Sequence, residues 1–425
     1  MSVDVNIYNV IVTGLAFFFL FTAFQTASLT AQNVLEAVSE QKHGSFDGAG
    51  YTSLAIVYIS FGLFNWFAPI VVMYLGEKYS MIAGSTCYAL YIASYIEPVK
   101  WSLYLTSFIN GLGAAVLWTA QGAFITDCST KSNMNQHFSL FWGLFQANQI
   151  VGGLYAYLSL SNITEIPRTL RIQLYGGLLG CAVLGILILF ILRKPRKTHN
   201  FSNQQLINAE INSFGDSLSG LTGKLSNNTK PSDSCSVYFT LFALYASALG
   251  HCLHFGKNAK SYIGLAGLFI GIGEMVGSFS SRLSRWIRLE GILICGYICA
   301  VVAGYFTFLM LPTNSSIKDT DELTYITPNV YLAMFIAFLF GGVDSVWNTQ
   351  ISTLIGFIYG EHGTDITVAF ALFKSVQSII SGIAFVYSTY LLLHWQVFIF
   401  IVMATGGLYC LLIVYWSHLS HSVGT

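Results

Sequence analysis

The chain carries an internal repeat that relates its first half to its second. Three groups of residues in the first half return in the same order, each at a nearly constant offset: Tyr51, Leu54, Ala55, Ile59 and Gly62 as Tyr262, Leu265, Ala266, Ile270 and Gly273; Gly113, Trp118 and Gln121 as Gly342, Trp347 and Gln350; Leu144, Phe145 and Gln149 as Leu372, Phe373 and Gln377. Three matches in one order are not expected by chance. Two like halves built from apolar helices are typical of duplicated transporter-type membrane folds.

The composition identifies the solvent of this chain as a lipid bilayer. Hydrophobic residues make up 54% of the sequence and charged residues only 9%, far from the balance of a soluble protein. The formal net charge is zero, so nothing indicates a nucleic acid partner. We therefore predict an all-α, multi-pass membrane protein.

Apolar runs of spanning length follow one another along almost the whole chain. A helix needs about 20 apolar residues to cross a bilayer. On this measure we predict about twelve transmembrane helices, six in each repeat, near residues 7–28, 51–75, 80–96, 101–125, 138–160, 170–193, 237–255, 262–281, 289–311, 330–358, 366–392 and 394–416.

One long polar stretch separates the two predicted halves. It opens with basic residues at 193–197 and is rich in Ser, Asn, Gly and Lys, which predicts an N-terminal half at 1–193, a linker at 194–235 and a C-terminal half at 236–425. Basic loops favour the cytoplasmic side. The linker side carries more Lys and Arg than the other side, so we expect a cytoplasmic linker and two cytoplasmic termini, in a plasma membrane or an endomembrane.

Two further sequence features bear on this topology. Asn162 and Asn314 begin glycosylation sequons in loops on the predicted outer side. The seventh apolar run is short and reaches spanning length only by including residues 251–254, so we predict a shortened seventh helix that still crosses. His251 and His254 are expected at the outer interface.

Three charged residues fall inside predicted spans, where charge is expensive and usually functional. They are Glu274, Asp344 and Lys374, and the matching positions of the first half are uncharged. Three interpretations stay open: a structural ion pair between Asp344 and Lys374, a carboxyl group that exchanges a proton or binds a cationic group in a central cavity, and charges that face water in a vestibule.

Indole and amide side chains form a second candidate set. Trp118 with Gln121, and Trp347 with Gln350, are spaced to share one face of a helix. The amides form either hydrogen bonds between packed helices or pseudo-symmetric cavity walls that contact a solute. The same two interpretations apply to three further amides, Gln25, Gln149 and Gln377.

The motifs of common enzyme classes are missing from the sequence. It contains no P-loop spacing, no His or Cys cluster with metal-ligand spacing and no serine nucleophile elbow. We therefore predict no enzymatic activity, no metal and no cofactor.

Several motifs resemble the Unc-ninety-three family of the major facilitator superfamily. They lie at residues 21–25 (FTAFQ), 50–55 (GYTSLA), 116–122 (VLWTAQG), 269–274 (FIGIGE), 348–350 (NTQ) and 390–396 (YLLLHWQ). The resemblance covers about residues 7–416 and departs from the family near 236–246, where relatives carry a longer seventh helix. It places Glu274, Asp344, Lys374 and Gln377 at positions where the most similar branch carries the same residues.

The resemblance implies a major-facilitator-type bundle and leaves two functions open. One is a secondary transporter of an unassigned small solute, proton-coupled through the intramembrane charges, in which rocking of the halves gives alternating access. The alternative is a non-transporting accessory subunit, a regulator of a potassium channel or a trafficking partner of a membrane receptor. The expected partners are accordingly the lipid bilayer and either a small solute or another membrane protein.

Overall fold

A computed structural model of the chain describes residues 4–41, 46, 48–129, 133–161, 166–195, 244–278, 287, 289–359 and 363–423. These residues are almost entirely helical. Within them, β pairing is limited to an isolated bridge between Cys252 and Thr320.

The helices lie close to the predicted positions. In chain order they are α1 Val5–Gln41, α2 Ala49–Phe64, α3 Ala68–Leu75, α4 Glu77–Ala93, α5 Lys100–Asp127, α6 Met134–Ser159, α7 Arg168–Phe190, α8 at 244–251, α9 Ala259–Ser278, α10 Leu289–Met310, α11 Val330–Tyr359, α12 Gly363–Ser388 and α13 Leu393–Val423. Hydropathy therefore located the regions of all these helices, with α2 and α3 inside a single predicted run.

The first helix is longer than predicted. The expected range 7–28 ends where polar residues lower the hydropathy, yet α1 continues to Gln41. Its polar end meets protein groups instead of lipid: Gln32 Oε1 accepts the backbone N–H of Tyr51 at 3.2 Å, and Asn33 Oδ1 accepts the Ser247 hydroxyl at 3.1 Å. Polar side chains satisfied in this way do not need to end a buried helix.

The second predicted helix, 51–75, is divided in two. Helices α2 and α3 meet at an angle of 74° across a break at residues 65–67. Pro69 stands in the first turn of α3, where its missing N–H breaks no intrahelical hydrogen bond. A hydropathy window averages over such a bend and cannot detect it.

Seven helices among the described residues are long and apolar enough to cross a membrane, or eight if the bent α2–α3 pair forms one span. The count of twelve stays a prediction. Outside the described residues lie nearly all of the predicted linker, the first part of the predicted seventh helix, Asn162, and the basic residues Arg282, Arg285 and Arg288.

The N-terminal and C-terminal helices meet through glycines. Gly153 of α6 faces the backbone of α9 near Gly264, and Gly62 of α2 faces α12 near Ser375. Helix α9 also packs against α11 of its own half. Small residues let helix backbones approach closely in membranes, and this close approach places α9 between α6 and α11.

Candidate functional site

Glu274 lies between the two packed faces of α9. Gly271, three residues earlier, lies against the Cβ atom of Gln149 on α6, whereas Gly273 and Gly277 lie against α11. Because successive helix residues turn by about 100°, the Glu274 side chain points into the angle between α6 and α11. Only 4% of Glu274 is exposed, and its Oε2 atom has no hydrogen-bond partner among the described residues.

Asp344 provides a second buried carboxyl group. It is 8% exposed, and its Oδ1 atom also lacks a hydrogen-bond partner within the described part of the chain. The carboxyl group lies within electrostatic range of both Glu274 and Lys374. Two acids and one ammonium group, from α9, α11 and α12, therefore share one region.

A chain of hydrogen bonds ties Lys374 to α11. Lys374 Nζ donates to Gln377 Oε1 at 2.8 Å, and Gln377 Nε2 donates to Asn348 Oδ1 at 3.3 Å. Asn348 Nδ2 in turn donates to the backbone carbonyl of Asp344 at 3.0 Å. Sequence reasoning did not select Asn348, although its position one turn after Asp344 was an available signal.

Gln149 brings a buried amide from the N-terminal helices. It is fully buried, and neither of its amide atoms has a hydrogen-bond partner in the described residues. A buried group left without a partner costs about 1–3 kcal/mol. A bound solute or water that completes these bonds would therefore be held favourably.

Tyr58 reaches the same region from α2. Its ring stacks on Phe385 of α12 with centroids 5.6 Å apart, and its hydroxyl lies within electrostatic range of Asp344. The sequence analysis missed Tyr58 because one tyrosine in an apolar helix is not distinctive. Its spacing of two turns from the repeat residue Tyr51 was the available signal.

The two predicted indoles have different surroundings. Trp118 packs among the aromatic rings of α1 and α6, with centroids 5.1 Å from Phe21 and 5.6 Å from Phe145. Trp347 is fully buried beside Gly296 of α10. The structure does not bring the two indoles together, and their predicted contact with a solute stays a prediction.

The remaining predicted amides are spread over three helices. Gln25 Oε1 on α1 and Gln121 Nε2 on α5 are buried atoms with no hydrogen-bond partner in the described ranges. Gln350 is a buried residue of α11. Their predicted role in lining a cavity is likewise still a prediction.

Comparison with known proteins decides the family. A family model described as "Ion channel regulatory protein UNC-93" matches residues 42–412. The chain belongs to the UNC-93 family. The resemblance drawn from the sequence motifs is thereby confirmed.

Similar proteins cover nearly the whole chain. It is 33% identical to the UNC93-like protein MFSD11 of Xenopus laevis, over 97% of this chain and 96% of the relative. It is 25% identical to the protein unc-93 homolog A of Danio rerio, over 93% and 88% of the two chains. The match thus extends over most of the length of both relatives.

A solved structure confirms the predicted major-facilitator-type fold. A crystal structure of a mutant of the nucleoside transporter NupG superimposes with a TM-score of 0.63, covering 96% of this chain and 99% of that one at 11% sequence identity. At this identity the likeness concerns the fold alone. Family and fold indicate a multi-pass membrane protein.

A second polar contact joins the two halves of the UNC-93 protein at the end of α1. Glu36 Oε2 contacts Nε2 of His251, and His251 Nδ1 lies 2.9 Å from the backbone oxygen of Ser315. Nearby, the Tyr51 hydroxyl donates to the carbonyl of Ser316 at 3.0 Å. The expectation that His251 faces the outer interface was wrong, because this residue is fully buried against α1. His254 is exposed.

The predicted glycosylation residue Asn314 lies in a short 3-10 segment, Thr313–Ser316. Its side-chain Nδ2 donates to Glu322 Oε1, and Ser316 of the sequon is buried. Glycosylation at Asn314 and Asn162 stays a prediction.

As for metals, the described residues contain no group of three or more His, Cys, Asp or Glu that could hold an ion.

Proposed function

We propose that this UNC-93 family protein is a secondary transporter of a small solute, and that protonation of Glu274 and Asp344 couples transport to a proton gradient. One observation carries the proposal: the buried carboxyl groups of Glu274 on α9 and Asp344 on α11 lie within electrostatic range of each other, at the place where α6 of the other half approaches. The ammonium group of Lys374 lies within range of Asp344.

The charge balance of this region supports a coupling role. An unpaired ionised carboxylate is strongly disfavoured in a membrane interior. If Lys374 compensates one carboxylate, the other must be protonated or must bind a cation. A carboxylate that binds either a proton or a cationic ligand, but not both, can couple movement of the ligand to movement of protons.

The contacts between the halves support movement. Helix α6 meets α9 at Gly153 and Gly264, and α2 meets α12 at Gly62 and Gly382. Because glycine has no side chain, helices that meet at glycines can rock or slide past each other with few side chains interlocked between them. The NupG fold belongs to a protein described as a nucleoside transporter, and alternating access by rocking is the usual mechanism for such repeats.

Vesicle uptake tests the proposal. Solutes that raise the melting temperature of the purified chain identify a substrate, which is then followed into reconstituted vesicles with and without an imposed pH gradient. We expect gradient-driven accumulation in the wild type and its loss, at least tenfold, in Glu274→Gln and Asp344→Asn, while gradient-independent exchange of the solute persists in one of them.

The matched control is Glu97→Gln. Glu97 is half exposed and pairs with Arg168 at 2.5 Å, away from the central acids. This variant should transport as the wild type does. Full gradient-driven uptake in both Glu274→Gln and Asp344→Asn would exclude coupling at this site.

The family description gives a specific reason to test a second function. The matching model is described as an ion channel regulatory protein. If this chain is an accessory subunit, it should co-purify with a potassium channel and change the channel's current in a paired expression experiment. Both effects should then survive Glu274→Gln and Asp344→Asn, since regulation does not need the coupling acids.

A further inference from the structure

The unpartnered atoms between α6, α9 and α11 are mostly hydrogen-bond acceptors. Glu274 Oε2, Asp344 Oδ1 and Gln149 Oε1 are buried without a hydrogen-bond partner in the described residues, and the one donor group in the same condition is Gln149 Nε2. The Lys374 ammonium group already donates to Gln377. Buried acceptors need donors, so a ligand that completes this site must supply several N–H or O–H groups.

These acceptors converge on one place. The Cβ atom of Gln149 lies against Gly271, three residues before Glu274 on the same helix. Glu274 in turn lies within electrostatic range of Asp344. All three side chains are more than nine-tenths buried. They therefore lie in one buried region between α6, α9 and α11 instead of facing water separately.

The charges at this position select a cation. Among the described residues, Asp344 on α11 lies within electrostatic range of Glu274, and Asp344 in turn lies within range of Lys374 on α12 and the Tyr58 hydroxyl on α2. Helix α6 presents the neutral Gln149, and α1 meets α9 through the apolar Leu29. With both acids ionised and Lys374 charged, the site carries one net negative charge. One monovalent cation, or one proton on Glu274, restores neutrality.

We propose that the site binds a small organic cation with several N–H donors, a primary ammonium or a guanidinium, in exchange for the proton of Glu274. On binding, the O–H bond of Glu274 breaks and its proton leaves to water. N–H···O hydrogen bonds from the cation to Glu274, Asp344 and Gln149 take its place. No covalent bond to the solute forms, and the net charge of the site is unchanged. This inference rests on the proposed transport function and names its substrate class.

Matched probes test the substrate class on the purified full-length chain. Phenethylamine and phenethylguanidine carry the required donors. Their controls share the apolar part: phenethyl alcohol is neutral, the trimethylammonium analogue is cationic without N–H donors, and hydrocinnamate is anionic. We expect only the first two to raise the melting temperature. In weak buffer, a pH-indicator dye should report release of about one proton per bound cation, because proton and ligand compete for one carboxylate.

Variants of Glu274 test whether cation binding and proton release occur at this site. Glu274→Gln keeps the shape but cannot release a proton, so proton release should vanish and affinity for phenethylamine should fall at least tenfold. Glu274→Asp retains the acid and should still release a proton, which also shows that the site folds. Glu97→Gln should behave as the wild type does.

The outcomes separate this inference from the transport proposal. Binding without proton release, binding unaffected by Glu274→Gln, or no stabilisation by the two N–H-bearing cations overturns the cation assignment. Gradient-driven uptake of a neutral or anionic solute that needs Glu274 would also overturn it, while leaving the transport proposal intact. Cation binding with proton release but no flux in vesicles would instead refute transport and leave the binding site standing.

Discussion

Replacing Glu36 by Gln tests whether the contact with His251 holds α1 against α8. The substitution keeps the size of the side chain and removes its charge. His251 is fully buried and only 20% of the Glu36 side chain is exposed, so water screens this contact little. Exposed ion pairs contribute about 0–1 kcal/mol, and breaking a buried one costs about 3–5 kcal/mol, so we take about 1.5–3 kcal/mol for this partly buried contact. Its loss should therefore raise the population in which this contact is open by about 10- to 150-fold.

A native cysteine beside the contact reports the opening. Cys252 directly follows His251 and is fully buried. A maleimide can react with it only when this region opens, so its labelling rate tracks the open population when closing is fast. Peptide mass spectrometry separates Cys252 from the other cysteines. In Glu36→Gln, the maleimide labelling rate of Cys252 should rise by about 10- to 150-fold.

An exposed ion pair in the same region is the matched control. Lys260 Nζ and Asp319 Oδ1 lie 2.8 Å apart, and the Asp319 side chain is partly exposed. Surface pairs contribute about 0–1 kcal/mol, so Asp319→Asn should change the Cys252 rate by no more than about fivefold. An unchanged rate in Glu36→Gln, or strict additivity of Glu36→Gln with His251→Ala, would show that the contact does not hold the helices together.

Three further predictions concern packing, the contact between halves and topology. Gly273→Leu would drive a side chain into the α11 backbone and should lower the melting temperature strongly, whereas Gly122→Leu meets open space and should change it little. Trp66→Phe removes the 2.9 Å bond from Nε1 to the Ser375 hydroxyl and should cost about 0.5–1.5 kcal/mol in a denaturation experiment. Asn314→Gln should reduce a glycosidase-sensitive gel shift in cells, and the double variant Asn162→Gln with Asn314→Gln should abolish it; if Asn314→Gln leaves the shift unchanged, the predicted outer position of this loop is unsupported.

The helices and the burial of Glu274 and Asp344 could be predicted from the sequence because both depend on transfer from water to lipid. Apolar runs of spanning length are local, and a charge within one is conspicuous because it is costly. The internal repeat added the prediction that the chain is built from two like halves. Local hydropathy was misleading at the end of α1, where tertiary contacts satisfy the polar side chains, and at the α2–α3 bend, over which a hydropathy window averages.

The partners of the polar groups could not be predicted, since they come from distant parts of the chain. Glu36 meets His251, Trp66 meets Ser375, and Gln149 lies beside the helix that carries Glu274. A one-dimensional pattern records that a group is buried but not which helix it faces.

The sequence by itself thus determined the solvent, the helices and the presence of buried charge in the second half, because these follow from the free energy of transferring each residue into lipid. Only the tertiary structure decided that Glu274 lies within electrostatic range of Asp344 and beside the helix of the Gln149 amide, and that His251 is buried against α1. Those arrangements depend on which glycine surfaces allow helices to approach, and that choice is made in three dimensions.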